Sequence, residues 1–248
     1  MSLAQEQAFS LPEIVETILL QLPLRDLLIN GQLVCHSWNS AIQSPTLQQA
    51  LFIQPQPKTD DQEPRFNPLL KEAFFPWFDK NQKQNRFSRG NEFRTLDWNS
   101  NDKKRAAYAR KEASWRRMLP VQPPATTFEV DAISNYQMGS RRQKGEVRFE
   151  EGVRMGALYD YAQKTVAKPI SSFWVEWHMV PEEEDDSDTP LRQEVEWKPS
   201  QKVTVHTSYT FQCVQGMRGD VGPEFRSEGY ENLEITFESA PMPTYPLF

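Results

Sequence analysis

Cysteine, histidine and glycine are scarce in this chain, and each scarcity removes a class of function. Two cysteines, Cys35 and Cys213, stand among 248 residues. They cannot build the disulfide framework of a small secreted scaffold. There is no Asn-x-Ser/Thr sequon, and the first residues lack the basic flank and continuous apolar stretch of a secretory signal. No apolar run is long enough to span a bilayer. These absences predict a protein of the cytoplasm or nucleus with no membrane partner. His36, His178 and His206 share no metal-ligand spacing with either cysteine, so no metal site is expected. Gly216, Gly219 and Gly222 are spaced by three, but no Lys-Ser/Thr follows them. They read as turn residues and not as a phosphate-cradling loop. No Gly-x-Ser-x-Gly elbow is present for a serine nucleophile. Arg218-Gly219-Asp220 spells an adhesion tripeptide, which has no meaning in an intracellular protein. No repeat of 20–50 residues occurs, so leucine-rich and WD-type architectures are not supported. The expectation is a chain with no catalytic residue, no cofactor and no metal.

What is present is an aromatic complement sufficient for a core: 15 Phe, 7 Trp and 7 Tyr. The hydrophobic fraction of 38% and the mean hydropathy of −0.69 also predict exposed or unordered stretches beside that core. A net charge of −6 gives no global attraction to nucleic acid.

The first 53 residues have helical periodicity. Ser10 and Glu13 have the spacing of a capping box, and Phe9 and Ile14 that of a hydrophobic staple. Leu11, Ile14, Val15, Ile18, Leu19 and Leu22 then form one apolar stripe on a helix that Pro23 ends. A second helix carries Leu24, Leu27 and Leu28, with Gly31 expected as its C-cap. A third places Val34, Trp38 and Ile42 four apart, with Cys35 beside them on the apolar face, where a thiol is inert. His36 is expected to be an exposed helix residue. Ser44 and Pro45 read as N-cap and first residue of a last turn carrying Leu47 and Leu51. So much apolar surface on about 40 residues exceeds what a module of that size buries alone.

Leu11-Pro12, Ile18-Leu19, Leu22-Pro23, Asp26-Leu27, Val34-Cys35 and Trp38 fall at the spacing of an L-P start, an I-L-x-x-L-P centre and a V-C-x-x-W end. That pattern resembles the F-box. The likeness spans residues 10–53, with a smaller apolar run than many members keep at Ile42-Gln43. It implies a three-helix module that binds a Skp-family adaptor through Leu11, Pro12, Ile14, Ile18, Leu19, Leu22, Pro23, Leu27, Val34, Cys35 and Trp38. Through the adaptor it implies a cullin. Asn67-Pro68-Leu69-Leu70, Phe74 through Phe78 and Ser114 through Leu119 resemble segments of a fungal group of F-box proteins. That second likeness suggests a lineage and implies no activity.

Residues 54–65 read as a Pro-rich, semi-extended linker. Residues 68–75 predict a short helix stopped at Pro76. Residues 80–117 hold 12 Lys/Arg against 4 Asp/Glu. Glu92, Asp97, Asp102 and Glu112 interrupt that positive field, so a solvated face is favoured over a nucleic-acid contact or nuclear-import signal. Asp102 is placed to cap a helix running to Leu119. After Pro124 the period changes to two. Phe128, Val130 and Ala132 alternate with Glu129 and Asp131. Val147 and Phe149 follow, then Phe173, Val175, Trp177 and Met179. Val203, Val205, Tyr209, Phe211 and Cys213 face away from Thr204, His206, Ser208, Thr210 and Gln212, and Leu233, Ile235 and Phe237 close the series. This pattern predicts an antiparallel sheet with a solvated polar face, on which Thr204, Ser208 and Thr210 are exposed and His178 and His206 lie. Leu158, Tyr161, Ala162, Thr165 and Val166 predict one helix packed on the sheet. Residues 181–190 read as an acidic, solvated loop.

The expected fold class is α+β: a helical module at 1–53, a linker with connecting helices at 54–119, and a mostly antiparallel sheet domain at 120–248 able to fold alone and hold a protein substrate. The resemblance implies a non-catalytic substrate receptor of an SCF-type cullin ubiquitin ligase. The alternatives are an F-box adaptor acting outside a ligase, and a nucleic-acid-binding protein using residues 80–117.

Overall fold

The computed structural model describes residues 11–57, 63–78, 102–108, 110–137, 139–166, 171–178, 202–210 and 235–242. The chain is an α+β protein with a helical N-terminal module and a five-stranded sheet. Cys213, Met179, Phe211, Leu233, the acidic run at 181–190 and the glycines at 216–222 lie outside the described residues.

Helix α1 spans Pro12–Leu20. Pro12 occupies its first turn, where a missing N–H costs nothing. The N-cap is Leu11, in extended conformation and without a capping side chain. This corrects the expected cap at Ser10, which with Phe9 lies outside the described residues. Leu24–Asp26, a π turn at Leu27–Gly31 and Gln32–Val34 then run end to end as one helix, α2. Gly31 therefore does not cap a helix. Its backbone is helical (φ −56°, ψ −37°), and a Cβ there would stand 3.1 Å from Ile42 Cδ1. The glycine permits close approach of the next helix.

Cys35 is extended (φ −165°, ψ 170°) and opens helix α3, His36–Ile42. Val34 thus belongs to α2, and the expected continuous face from Val34 through Trp38 to Ile42 is broken. Cys35 is exposed, contrary to the expected apolar setting. Helix α4, Pro45–Ala50, begins as read: Ser44 Oγ accepts from Leu47 N at 3.4 Å. The same hydroxyl donates to Glu16 Oε1 at 2.7 Å and so ties α4 to α1. Val15, Leu19, Leu27, Ile42, Leu47 and Leu51 form the module's core.

At the end of α4, Ile53 N donates to Gln48 O at 2.8 Å and Phe52 N to Gln49 O at 3.0 Å. That is the Schellman pattern, whose central residue is usually glycine. Here it is Phe52, at φ 60°. A left-handed non-glycine residue costs about 1–2 kcal/mol, whereas a buried Phe contributes about 3–5 kcal/mol. Phe52 is 1% exposed, with the Arg65 guanidinium 5.3 Å from its ring centre. Packing therefore outweighs strain. Phe52→Gly should lower stability by about 2 kcal/mol despite relieving the backbone, as read by urea melting.

Beyond Phe52 the chain does not enter a free linker. Gln122 Nε2 donates to Gln54 O at 2.7 Å and Gln56 N to Gln122 Oε1 at 2.9 Å. Strand β1, Arg65–Phe66, pairs with β2, Val121–Gln122. Helix α5, Pro68–Ala73, is capped by Asn67, whose side chain accepts from Leu69 N and Leu70 N. A 3-10 turn at Phe75–Trp77 contains Pro76. The expected helix from Asp102 to Leu119 is two pieces, α6 (Asp102–Tyr108) and α7 (Ser114–Arg117).

The sheet has the order β5 (Ser171–His178), β6 (Lys202–Thr210), β3 (Thr127–Tyr136), β4 (Gly139–Arg148), β7 (Glu238–Ala240). Strands β3 and β4 form a hairpin. Helix α8, Met155–Val166, packs over β5 and β6. The central pair β3–β6 is parallel and the other pairs are antiparallel. The last strand, β7, is Glu238–Ala240, later than the alternation at Leu233 to Phe237 suggested. The chain before it passes so close to Gly145 that a Cβ there would meet Ile235 Cγ2 at 2.4 Å. Phe128, Val130, Phe173, Val175, Val203 and Val205 are buried on the face the alternation assigned to them. The opposite face was expected to be solvated, yet Asp131 and Thr204 are buried there as well.

Candidate functional site

The helical module buries part of its apolar stripe and presents the rest. Among the expected docking residues, Leu19 and Leu27 are fully buried and belong to the module's core. They are structural. Ile18, Leu22 and Trp38 are half-buried, with Leu22 and Trp38 packed against that core. Leu11, Pro12, Ile14, Pro23, Val34 and Cys35 are exposed. One helix cannot turn all of Leu11, Ile14, Val15, Ile18 and Leu19 inward, so the wide stripe is divided between core and surface.

Three exposed apolar residues were not singled out in the sequence: Leu20, Ile29 and Leu33. Leu33 is 80% exposed, Val34 57%, Ile29 51% and Leu11 50%. Leu33 falls outside the i, i+3, i+4 set built on Leu24, and that exclusion was its available signal. Between α1 and α3 lies a cleft whose lining includes Pro12, Val15, His36, Ser37 and Ala41. Leu11 directly precedes Pro12, and Val34-Cys35 directly precede His36. Both ends of the matched pattern therefore border one cleft. His36 is exposed, as expected.

The second notable arrangement is on the polar face of the sheet. Asp131 accepts from Arg142 Nε at 2.7 Å and from Arg142 Nη2 at 2.5 Å. His206 Nδ1 lies 3.4 Å from Asp131 Oδ2, and its Nε2 lies 3.0 Å from Glu176 Oε2. Trp174 stacks on the imidazole with centroids 4.7 Å apart. Nearby, His178 Nε2 and Thr204 Oγ1 are 3.0 Å apart, and Lys202 Nζ donates to Glu129 at 3.1 Å. Period-two reading placed Glu129, Asp131, His178, Thr204 and His206 on polar strand faces but carried no signal that they would pair, and it did not place Arg142 at all. Burial alone would raise the Asp131 carboxyl, but hydrogen bonds from Arg142 and then His206 outweigh it and hold it well below its ordinary value. Burial alone would lower His206, but Asp131 and Glu176 outweigh it and raise the imidazole. Both ring nitrogens face carboxylates, which favours the protonated ring and lets His206 bridge β5, β6 and β3.

This bridge sets a pH dependence. The depressed Asp131 contributes stability above its unfolded value of 3.8, lost as pH falls through the folded value. The raised His206 contributes below its unfolded value of 6.5, lost as pH rises through the folded value. The thermal midpoint should therefore decline as pH rises above about 6.5, and His206→Gln should flatten that decline. An unchanged slope in the variant would remove the bridge from the account.

Among the described residues no group of three or more His, Cys, Asp or Glu is arranged to hold a metal ion. None of their helices is long and apolar enough to cross a membrane. A scan against protein-family models finds no match, and neither a search of curated proteins nor one of solved structures returns any.

Proposed function

We propose that the N-terminal helical module is an F-box that docks a Skp-family adaptor, making the chain a non-catalytic substrate receptor of a cullin-based ubiquitin ligase. The observation that carries this reading is the exposed apolar set Leu11, Ile14, Leu20, Ile29, Leu33 and Val34, gathered within 24 residues of a module that already has a core of its own. Six large apolar residues left exposed on so short a segment favour a protein–protein contact, because leaving apolar surface in water costs about 25 cal/mol per Å². The spacing of Leu11-Pro12, Leu22-Pro23, Val34-Cys35 and Trp38 supplies the identity of the partner by resemblance. The sheet domain, with an aromatic-rich core, would supply a surface for a protein substrate. The chain then contributes binding and positioning, and transfer chemistry belongs to other subunits.

The test is affinity purification of the full chain from cells with the proteasome blocked. Adaptor and cullin recovered together support the receptor reading. Adaptor without cullin would favour a role outside the ligase, and recovery of neither would overturn the assignment.

A further inference from the structure

We infer that the crease between the helical module and the sheet domain is an anion-recognition cleft that takes a phosphorylated serine or threonine side chain of a partner polypeptide. The cleft encloses about 580 Å³, within the usual range for a ligand site. Its lining includes the apolar Ile53 and Pro55 at the exit of the module. The lining also carries four cations, Lys111, Arg116, Arg117 and Arg154, against a single carboxylate, Glu151.

Two of the cations are already fixed. Arg116 is ion-paired with the buried carboxylate of Asp160. Arg154 Nη1 donates to the carbonyls of Ile53 and Arg117, and its Nη2 to Glu151 at 3.0 Å. Held in place, their remaining N–H groups lose little entropy on capturing an anion. Lys111 and Arg117 are exposed, and no described carboxylate pairs with either. Counting Asp160 and Glu151 against the four cations leaves a site two charges positive. A phosphomonoester carries about −1.5 to −2 and neutralises that excess, whereas a lone carboxylate leaves half of it. The size of the cleft suits one such group with a flanking apolar residue against Ile53 and Pro55. A nucleic acid requires an extended basic track, and the whole chain is net negative. This reading concerns a surface separate from the adaptor face and stands or falls independently of it.

The test uses the immobilised full chain and four probes: dodecamer peptide pools with random flanks and a central phosphoserine, serine or glutamate, and a single-stranded DNA 12-mer. The phosphoserine pool should bind at least about tenfold more tightly than the serine pool, as expected for charge-assisted hydrogen bonds. Lys111→Ala with Arg117→Ala should erase that preference. Lys103→Ala with Lys104→Ala, an equal loss of exposed charge outside the cleft, should preserve it. Both variants should keep the wild-type melting curve. Equal retention of the phosphoserine and serine pools, equal binding of the glutamate pool, loss in both variants alike, or preference for the DNA probe would each overturn the proposal.

Discussion

Leu33→Lys combined with Val34→Lys should reduce adaptor binding by about 100-fold or more while leaving the chain folded. The two side chains are the most exposed of the large apolar residues in the described chain, and neither belongs to the module's core. Truncating an interface anchor costs about 2 kcal/mol or more, and two lysines would add the burden of burying charge. Lysine is chosen because α2 ends at Val34, where a cation suits the helix dipole. The melting midpoint should therefore hold, as exposed substitutions usually change stability by about 0.5 kcal/mol or less. Leu19→Ala gives the opposite signature. It opens a cavity in a side chain with no exposure and should cost about 2–5 kcal/mol, so binding fails through unfolding. Surface plasmon resonance with calorimetry separates the two. A folded double variant with wild-type affinity would move the docking face elsewhere or remove it.

Legibility varied with how local the determining physics is. The cap at Ser44, the proline at the start of α4 and the amphipathic α8 depend on residues a turn apart, and the sequence alone was sufficient for them. The parity of β3, β5 and β6 was equally readable, since one buried face fixes the register. Gly31 was misread because its purpose lies 11 residues away, against Ile42. Thr204 and Asp131 were misread because polar residues on a strand look alike whether solvated or paired. Burial there depends on Arg142 and His206 arriving from other strands. For the proposed docking face, composition showed an apolar excess. Which half of the stripe turns inward was decided by α2 and α3 packing on α1, beyond the reach of periodicity.

The same distinction governs where the chain can be cut. Proline density near residue 54 suggested a boundary after which 120–248 would fold alone. The core of the sheet domain instead takes Leu70, Phe74, Trp77 and Phe78 from the segment before it. Trp77 is fully buried, with its ring 5.0 Å from Phe173 and 5.9 Å from Tyr159. Its carbonyl accepts from Trp177 Nε1 at 2.9 Å, and Phe78 stacks on the Trp177 ring at 5.7 Å. Removing one buried large aromatic costs about 3–5 kcal/mol. Deleting Phe74, Trp77 and Phe78 together removes as much as the whole stability of about 5–15 kcal/mol expected of a domain. Residues 120–248 should therefore show no cooperative thermal transition and poor amide dispersion in NMR spectra. Residues 54–248 should melt cooperatively, because the aromatic segment and the sheet are both retained. In the full chain, Trp77→Ala should cost about 3–5 kcal/mol by denaturant titration. A sharp, reversible melt from residues 120–248 would show that the sheet and α8 suffice as a core, and that the segment around Trp77 merely covers it.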